Sequence, residues 1–284
     1  MQPLTLGKIQ VSRVVEVEGP TSPRFLFPDL TPEDLRPYLQ WLAPHFYTPA
    51  DDRLRMSIHT FIVRTPHHTI LVDTCLGNDK KRTTPNWNMR SGPFLQDLRA
   101  AGVDPARVDF VLCTHLHVDH VGWNTRLQDG RWVPTFPNAK YVFNRTEYEF
   151  WRNAADADQA ETFRDSVLPV MEAGQVLLVD GEYEIVDGVW LEPTPGHTPG
   201  HCSVHLTSSG AEGVVTGDMM HHPLQILEPE RCSRFCQDVP LARRTRRAFL
   251  ERYADRDVRI IGTHFFPPTI GRVVGHKDTW RLAI

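Results

Sequence analysis

The chain predicts a mixed α/β architecture in which two sheets pack together with helices outside. Short apolar strand candidates recur along the whole length, and a few amphipathic helices stand between them. No internal repeat, low-complexity tract or linker-like run divides the 284 residues. A single domain over residues 1–284 is therefore expected. With 40% hydrophobic and 23% charged residues, there is enough apolar material for a sizeable core.

Residues 9–17 alternate loosely, as a strand does. A Pro- and aromatic-rich stretch over residues 19–46 contains one clear helix start. Thr31 offers an N-cap hydroxyl, Pro32 suits the first helical position, and Glu33 and Asp34 place acids in the first turn. Leu35, Tyr38, Leu39 and Leu42 then give one apolar stripe. Residues 57–64 and 69–73 read as a hairpin around Pro66-His67-His68. A polar loop over 77–93 leads to a helix over 94–101, and 108–113 reads as a buried strand. Residues 140–143 predict another strand, with a helix opening at Thr146. Residues 174–193 and 201–218 read as short strands with Gly turns, 240–253 as a helix, and 258–261 as a last buried strand. Arg243, Arg244, Arg246 and Arg247 alternate with apolar residues and are expected on the wet face of a helix.

Lys plus Arg number 31 against 35 Asp plus Glu, a net charge of −4. A nucleic-acid binder shows a basic surplus, so nucleic acid is not an expected partner. No apolar run is long enough to span a bilayer, and the opening Met1-Gln2-Pro3-Leu4 begins no secretion signal. Five irregularly spaced cysteines make no disulfide framework. The expectation is a cytoplasmic protein with no membrane partner.

The 14 histidines are the anomaly. His115-Leu116-His117-Val118-Asp119-His120 places four potential metal ligands just past a strand. His115 and His117, two apart, can project to the same side, while Asp119 and His120 follow where the chain turns and can face a second point. Ligands divided in this way suit two metal ions sharing one loop, each needing further groups from elsewhere. Candidates stand at the ends of predicted strands. His197 lies in a rigid Gly/Pro turn, Asp218 follows residues 213–215, and His264 follows residues 258–261.

That run, with Gly196-His197, Gly217-Asp218 and Thr263-His264, resembles the metallo-β-lactamase superfamily over residues 57–264. The resemblance implies an αββα sandwich with the metals at one edge between the sheets, here with an N-terminal aromatic-rich insertion. It implies that His115, His117 and His197 hold a first ion and Asp119, His120 and His264 a second, with Asp218 bridging. Asp73 would orient the ligand loop. Departures narrow the branch. Asp218 stands where the main β-lactamase branch has cysteine, and His117 where flavodiiron proteins have glutamate. Only 20 residues follow His264, where glyoxalase II adds a glutathione-binding region, and the acidic chain shows no RNA-gripping arm.

What remains resembles the quorum-quenching lactonases and the methyl parathion hydrolases, on residues 138–143 and the aromatic-rich helix after them. This implies hydrolysis of a small-molecule carboxylic ester, a lactone such as an acyl-homoserine lactone, by a hydroxide bridging two divalent ions. Asp119 would pass the proton. Zinc suits the ligand set first, and iron, manganese and cobalt bind similar sets. Family habit points to a homodimer. Phosphotriester or aryl-ester hydrolysis at the same centre is the alternative, and a non-catalytic metal-binding or sensor protein a third.

Other residues admit plainer readings. His201 is expected behind the ligands, and Cys232 and Cys236 lack the second pair of a metal clip. The aromatic set Phe25, Phe27, Tyr38, Trp41, Phe46, Tyr47 and Trp87, with Met89, suits core or a substrate wall or subunit contact equally. The resembled lactonases place a tyrosine shortly after the bridging aspartate to hold the carbonyl oxygen. No tyrosine stands there, and His221 is the candidate for that role; otherwise it packs on His222 or Pro223 and shapes the loop.

Overall fold

The computed structural model describes residues 3–43, 45–153 and 156–284, so Met1 and Gln2, on which the reading of the opening partly rests, lie outside the described residues. The chain starts with β1 (Leu4–Leu6), β2 (Ile9–Thr21), β3 (Tyr47–Thr48), β4 (Arg53–Arg64), β5 (Thr69–Val72) and β6 (Phe110–Leu112). A detached hairpin of β7 (Thr125–Gln128) and β8 (Arg131–Pro134) follows. Then β9 (Lys140–Asn144) and β10 (Val176–Val179) complete a sheet in the order β1-β2-β4-β5-β6-β9-β10, with β3 on β4. The second sheet runs in sequence order through β11 (Tyr183–Val186), β12 (Val189–Pro193), β13 (Cys202–Ser208), β14 (Ala211–Val215), β15 (Val258–Ile261), β16 (Ile270–His276) and β17 (Thr279–Ala283).

Side-chain alternation builds the layers. In β4, Phe61 and Val63 join Val204, Leu206, Val215 and Ile261 of the other sheet in one core between the sheets. Ile62, on the opposite face, packs with Leu71, Val111 and the helical residues Phe94 and Leu98. Val214 and Ile260 face outward onto Phe249 and Leu250 of the Val239–Tyr253 helix and onto the aromatic N-terminal segment. The layers run helix, sheet, sheet, helix.

Topology places the site. β5, β6, β9 and β10 pair in parallel, as do β14 and β15. Parallel pairing requires crossovers and brings the strand ends to one edge, where loops gather. Asp73 follows β5, the His115 run follows β6, Asp218 follows β14 and His264 follows β15. The sheets are tied together there: the Ser57 N–H donates to the His264 carbonyl at 3.1 Å, and the Cys202 N–H to the Thr114 carbonyl at 2.9 Å.

Three expectations need correction. The capping box at Thr31 and Asp34 forms, but the stripe beyond it is no continuous helix. It breaks into Pro32–Leu35, a 3-10 turn Arg36–Tyr38 and Leu39–Leu42, because Pro37 removes an N–H and crowds the preceding turn. Arg246 is fully buried rather than wet, donating to the carbonyls of Met219 at 2.9 Å and Pro229 at 2.6 Å. Third, the chain past His264 adds β16 and β17, where no strand was expected. Among the described residues no helix is long and apolar enough to cross a membrane.

The turn after His120 requires glycine at one position. The Gly122 N–H donates to the Cys75 carbonyl at 2.7 Å, and a Cβ on Gly122 would stand 1.9 Å from the Leu76 carbonyl. Gly122→Ala should therefore cost about 1–3 kcal/mol, the scale of overpacking. Urea unfolding checks this, and a midpoint equal to wild type would show that the loop yields freely.

Candidate metal centre

β6 ends before Thr114, and the chain then makes a tight descent in which His117 caps the short helix Val118–Val121. Asp73 anchors this descent. One of its oxygens accepts the Thr114 N–H at 2.8 Å, the other accepts the Thr114 hydroxyl at 2.9 Å, and the latter oxygen lies 2.9 Å from His120 Nδ1. The His197 turn is held from the other side, with Asp238 N–H donating to the Gly196 carbonyl at 3.0 Å and Gln237 N–H to the His197 carbonyl at 2.8 Å.

Two groups of candidate ligand atoms result, one of His115, His117, His197 and Asp218, the other of Asp119, His120 and His264. His117 Nδ1 lies 2.9 Å from His115 Nε2, and His197 Nε2 lies 3.0 Å from His117 Nδ1 and 3.2 Å from His115 Nε2. In the second group His264 Nε2 stands 3.3 Å from His120 Nε2, and each is 3.6 Å from an Asp119 oxygen. Asp218 faces both groups. Its Oδ2 lies 3.4 Å from His197 Nε2 and 3.3 Å from His120 Nε2, while Oδ1 lies 3.1 Å from His264 Nε2.

The donor set fits divalent ions. Ligands about 2.0–2.1 Å from a tetrahedral ion stand about 3.3 Å from one another, close to the spacings within each group. The remote ring nitrogens are occupied. His264 Nδ1 donates to the Ser57 carbonyl at 2.9 Å, and His120 Nδ1 to Asp73, which fixes the tautomers and leaves both Nε2 atoms facing Asp218.

Electrostatics divides the groups. Burial, aided by neighbouring rings, holds His115 and His197 well below the ordinary histidine range and lowers His117 to about 4. These rings are neutral, with free lone pairs. Burial acts on His120 and His264 too, but Asp218 and Asp119, with Asp73 for His120, outweigh it and raise both. Asp218 is itself held well below the carboxylate range: burial raises it, but His120, His264, His221 and His115 overcome that.

The surrounding residues separate into roles. His221 Nε2 lies 3.2 Å from Asp218 Oδ2, and its Nδ1 is buried with no partner among the described residues. His201 stands behind Asp218, its Nε2 accepting the Asp218 N–H at 2.8 Å. His222 faces away, with Nε2 2.9 Å from the Phe46 carbonyl. Cys236 Sγ lies 3.8 Å from His197 Nδ1, a proximity the plain reading of that pair did not anticipate. The aromatic set splits: Phe27, Phe46 and Tyr47 are core, whereas Phe25 is 42% exposed and packs edge-on against Phe235 at 5.8 Å. Sequence reasoning missed Phe235, stacked 6.4 Å from His221, and Trp151, 5.1 Å from His117. Neither stands next to a ligand in the sequence, so only the fold reveals them.

Residues 54–264 match the family described as the metallo-beta-lactamase superfamily. The N-acyl homoserine lactonase AiiA of Bacillus thuringiensis subsp. kurstaki is 27% identical over 177 residues, 57% of this chain and 63% of that protein. The match thus spans less than two thirds of that relative's length. Among solved structures, the hydrolase AbOPH in the beta lactamase superfamily has a TM-score of 0.79 at 26% identity, over 99% of this chain and 96% of that one. AidC, a dizinc quorum-quenching lactonase, reaches a TM-score of 0.81 at 21% identity with coverage of 99% and 96%, a likeness of fold.

The pKa pattern orders ion loss. A protonated imidazole cannot ligate, so binding weakens as pH falls through a ring's pKa. His120 and His264, with raised values, regain protons first, while His115, His117 and His197 stay neutral to lower pH. Dialysis in steps from about pH 8 to about pH 5, followed by elemental analysis, should show one ion leaving before the other. Loss of both in a single step would contradict the division.

Proposed function

The chain belongs to the metallo-beta-lactamase superfamily, and on that premise we propose that it is a metal-dependent hydrolase whose substrate is a carboxylic ester, above all a lactone such as an acyl-homoserine lactone. The observation that carries this reading is Asp218, one buried carboxylate whose two oxygens face both ligand groups. His115, His117 and His197 would hold one divalent ion and Asp119, His120 and His264 the other, with Asp218 shared. Two such ions polarise a carbonyl and lower the pKa of bound water toward neutrality.

The chain's own groups supply the rest. Asp218 balances positive charge at both positions. Asp119 is the partly open carboxylate of the centre, its side chain 15% exposed, and is placed to take up a proton and deliver it to a leaving alkoxide. We assign His221 to holding the carbonyl oxygen as its Nδ1–H tautomer, because a neutral imidazole carries one N–H and a ring donating Nε2–H to Asp218 would offer only a lone pair at Nδ1. Negative charge grows on that oxygen as the tetrahedral intermediate forms, where a fixed donor is most effective.

Two aromatic flanks favour a substrate with a compact polar head and an apolar remainder. Phe25 and Phe235 extend outward from His221, and Phe150 and Trp151 from His117. Such walls bury apolar surface while the polar head meets the ligand edge. The Bacillus relative is an N-acyl homoserine lactonase, which supports this substrate class.

Elemental analysis of protein prepared without chelators should find about two ions per chain. Turnover should be greatest on lactones in a panel with aryl esters, phosphotriesters and a β-lactam; greater turnover of phosphotriesters would move the assignment to that class. Asp218→Ala should lower ion content and activity together, and full activity with normal ion content would remove the bridge.

For His221 the expected outcome is sharper. His221→Ala should keep the ions and lower kcat by about 10²-fold, the scale for losing one oxyanion donor. Loss of ions instead would assign the ring to holding Asp218. His222→Ala should act on stability through its lost bond to Phe46 and leave kcat near wild type.

A further inference from the structure

Glu147 is a fully buried carboxylate with no part in the chemistry above. It is the third residue of the helix Arg145–Trp151, whose N-cap Asn144 accepts from the N–H groups of Thr146 and Glu147 at 2.8 and 3.4 Å. A glutamate at that position commonly reaches back to the N-cap N–H. Glu147 turns toward the ligand loops instead. Its Oε1 accepts the Leu116 N–H at 3.1 Å and the Trp151 indole N–H at 2.5 Å, and its Oε2 accepts the Gly200 N–H at 3.0 Å.

These three donors adjoin the histidines of the first group, two along the chain and one in space. Leu116 lies between His115 and His117, Gly200 is three residues past His197, and the Trp151 ring lies 5.1 Å from the His117 ring. The approach is close enough to require glycine: a Cβ on Gly200 would stand 2.3 Å from the Glu147 backbone nitrogen. The carboxylate therefore joins two loops that are separated by about eighty residues of chain and by the gap between the sheets.

We infer that Glu147 is the positioning residue of the first ion site, setting the distance between the His115–His117 turn and the His197 loop and, through Trp151, the tilt of the His117 ring. The inference rests on the proposed role of those three histidines as ligands. It follows from the geometry because both loops orient on the same two carboxylate oxygens, beside the backbone bond from the Cys202 N–H to the Thr114 carbonyl. A neutral amide of the same shape cannot replace it. In Glu147→Gln one oxygen becomes an NH2 group, which would face an N–H donor on one loop or the other and release that loop.

The test is zinc uptake by the wild type, Glu147→Gln and Leu206→Ala, a core truncation between the sheets. Each is measured by competition with a chelator and by the visible absorption of the cobalt(II)-substituted protein. The wild type should bind about two ions, and Glu147→Gln should hold one of them about 10-fold or more weakly, with a changed cobalt band. Leu206→Ala should melt earlier yet keep wild-type affinity and band. Wild-type protein that binds no zinc would overturn the metal reading and this inference with it. A folded Glu147→Gln protein with unchanged affinity and band would overturn this inference alone, as would equal ion loss in Leu206→Ala. Should Glu147→Gln fail to fold, Trp151→Phe keeps a ring against His117 while withdrawing one donor from Glu147. It should shift the cobalt band in the same direction, and an unshifted band would overturn the inference.

Discussion

Imidazole lone pairs and carboxylate charges crowd into a largely buried edge between two sheets, and the rest of the structure serves to hold them there. The Asp218 carboxylate lies within 3.4 Å of nitrogens of His120, His197, His221 and His264. Buried carboxylates at Asp73 and Asp218, with the partly open Asp119 beside them, are tolerable only with positive charge among them. In the protein alone, Asp218 and Asp119, with Asp73 beside His120, favour protons on His120 and His264 and so raise both pKa values against burial. Divalent ions answer the same demand with more charge and fixed direction, which makes ion binding and proton release two sides of one equilibrium.

Such crowding needs rigid support, and each group is held from a distant part of the chain. His264 is oriented by the Ser57 carbonyl, 207 residues away in sequence, and Thr114 by Asp73 across 41 residues. His201 fixes the backbone of Asp218 from 17 residues before it. Parallel strands make these meetings possible, because they deliver several strand ends to one edge without placing them near each other in the sequence. The helix-side cores then lock the strands, Phe249 and Leu250 on one face, Phe94 and Leu98 on the other. Stability of the layers and geometry of the edge are therefore one problem, felt most where Gly122 and Gly200 let backbones approach closely.

How much of this was legible in the sequence follows from how local each signal is. The His115 run concentrates four polar groups beyond a strand, and His197, Asp218 and His264 each follow an apolar segment, so both their grouping and their place at strand ends could be read. Strand alternation gave the layers for the same reason. Arg246 could not be read, because helical periodicity shows a polar face but not that carbonyls of Met219 and Pro229 would close over it. β16 and β17 were missed because their burial alternates weakly and Gly271 and Gly275 interrupt the apolar pattern. Glu147 was hidden by its own local context: after Asn144 it reads as half of a capping box, while its partners lie 31 and 53 residues away.

The aromatic N-terminal segment shows how one stretch serves two ends. Phe27 and Phe46 are wholly buried beneath the Val239–Tyr253 helix, and the Phe46 carbonyl receives His222, so the segment is welded to the loop that leaves Asp218. Phe25, two residues earlier, is left 42% exposed against Phe235, which in turn stacks on His221. The buried residues therefore fix the position of the exposed one. A flexible aromatic would lose rotamer freedom on meeting a ligand; one held by its neighbours has already lost it when the protein folds. Packing in the outer layer thus reaches the ligand edge through two rings, and the shape of the apolar wall is decided by residues that a substrate would never touch.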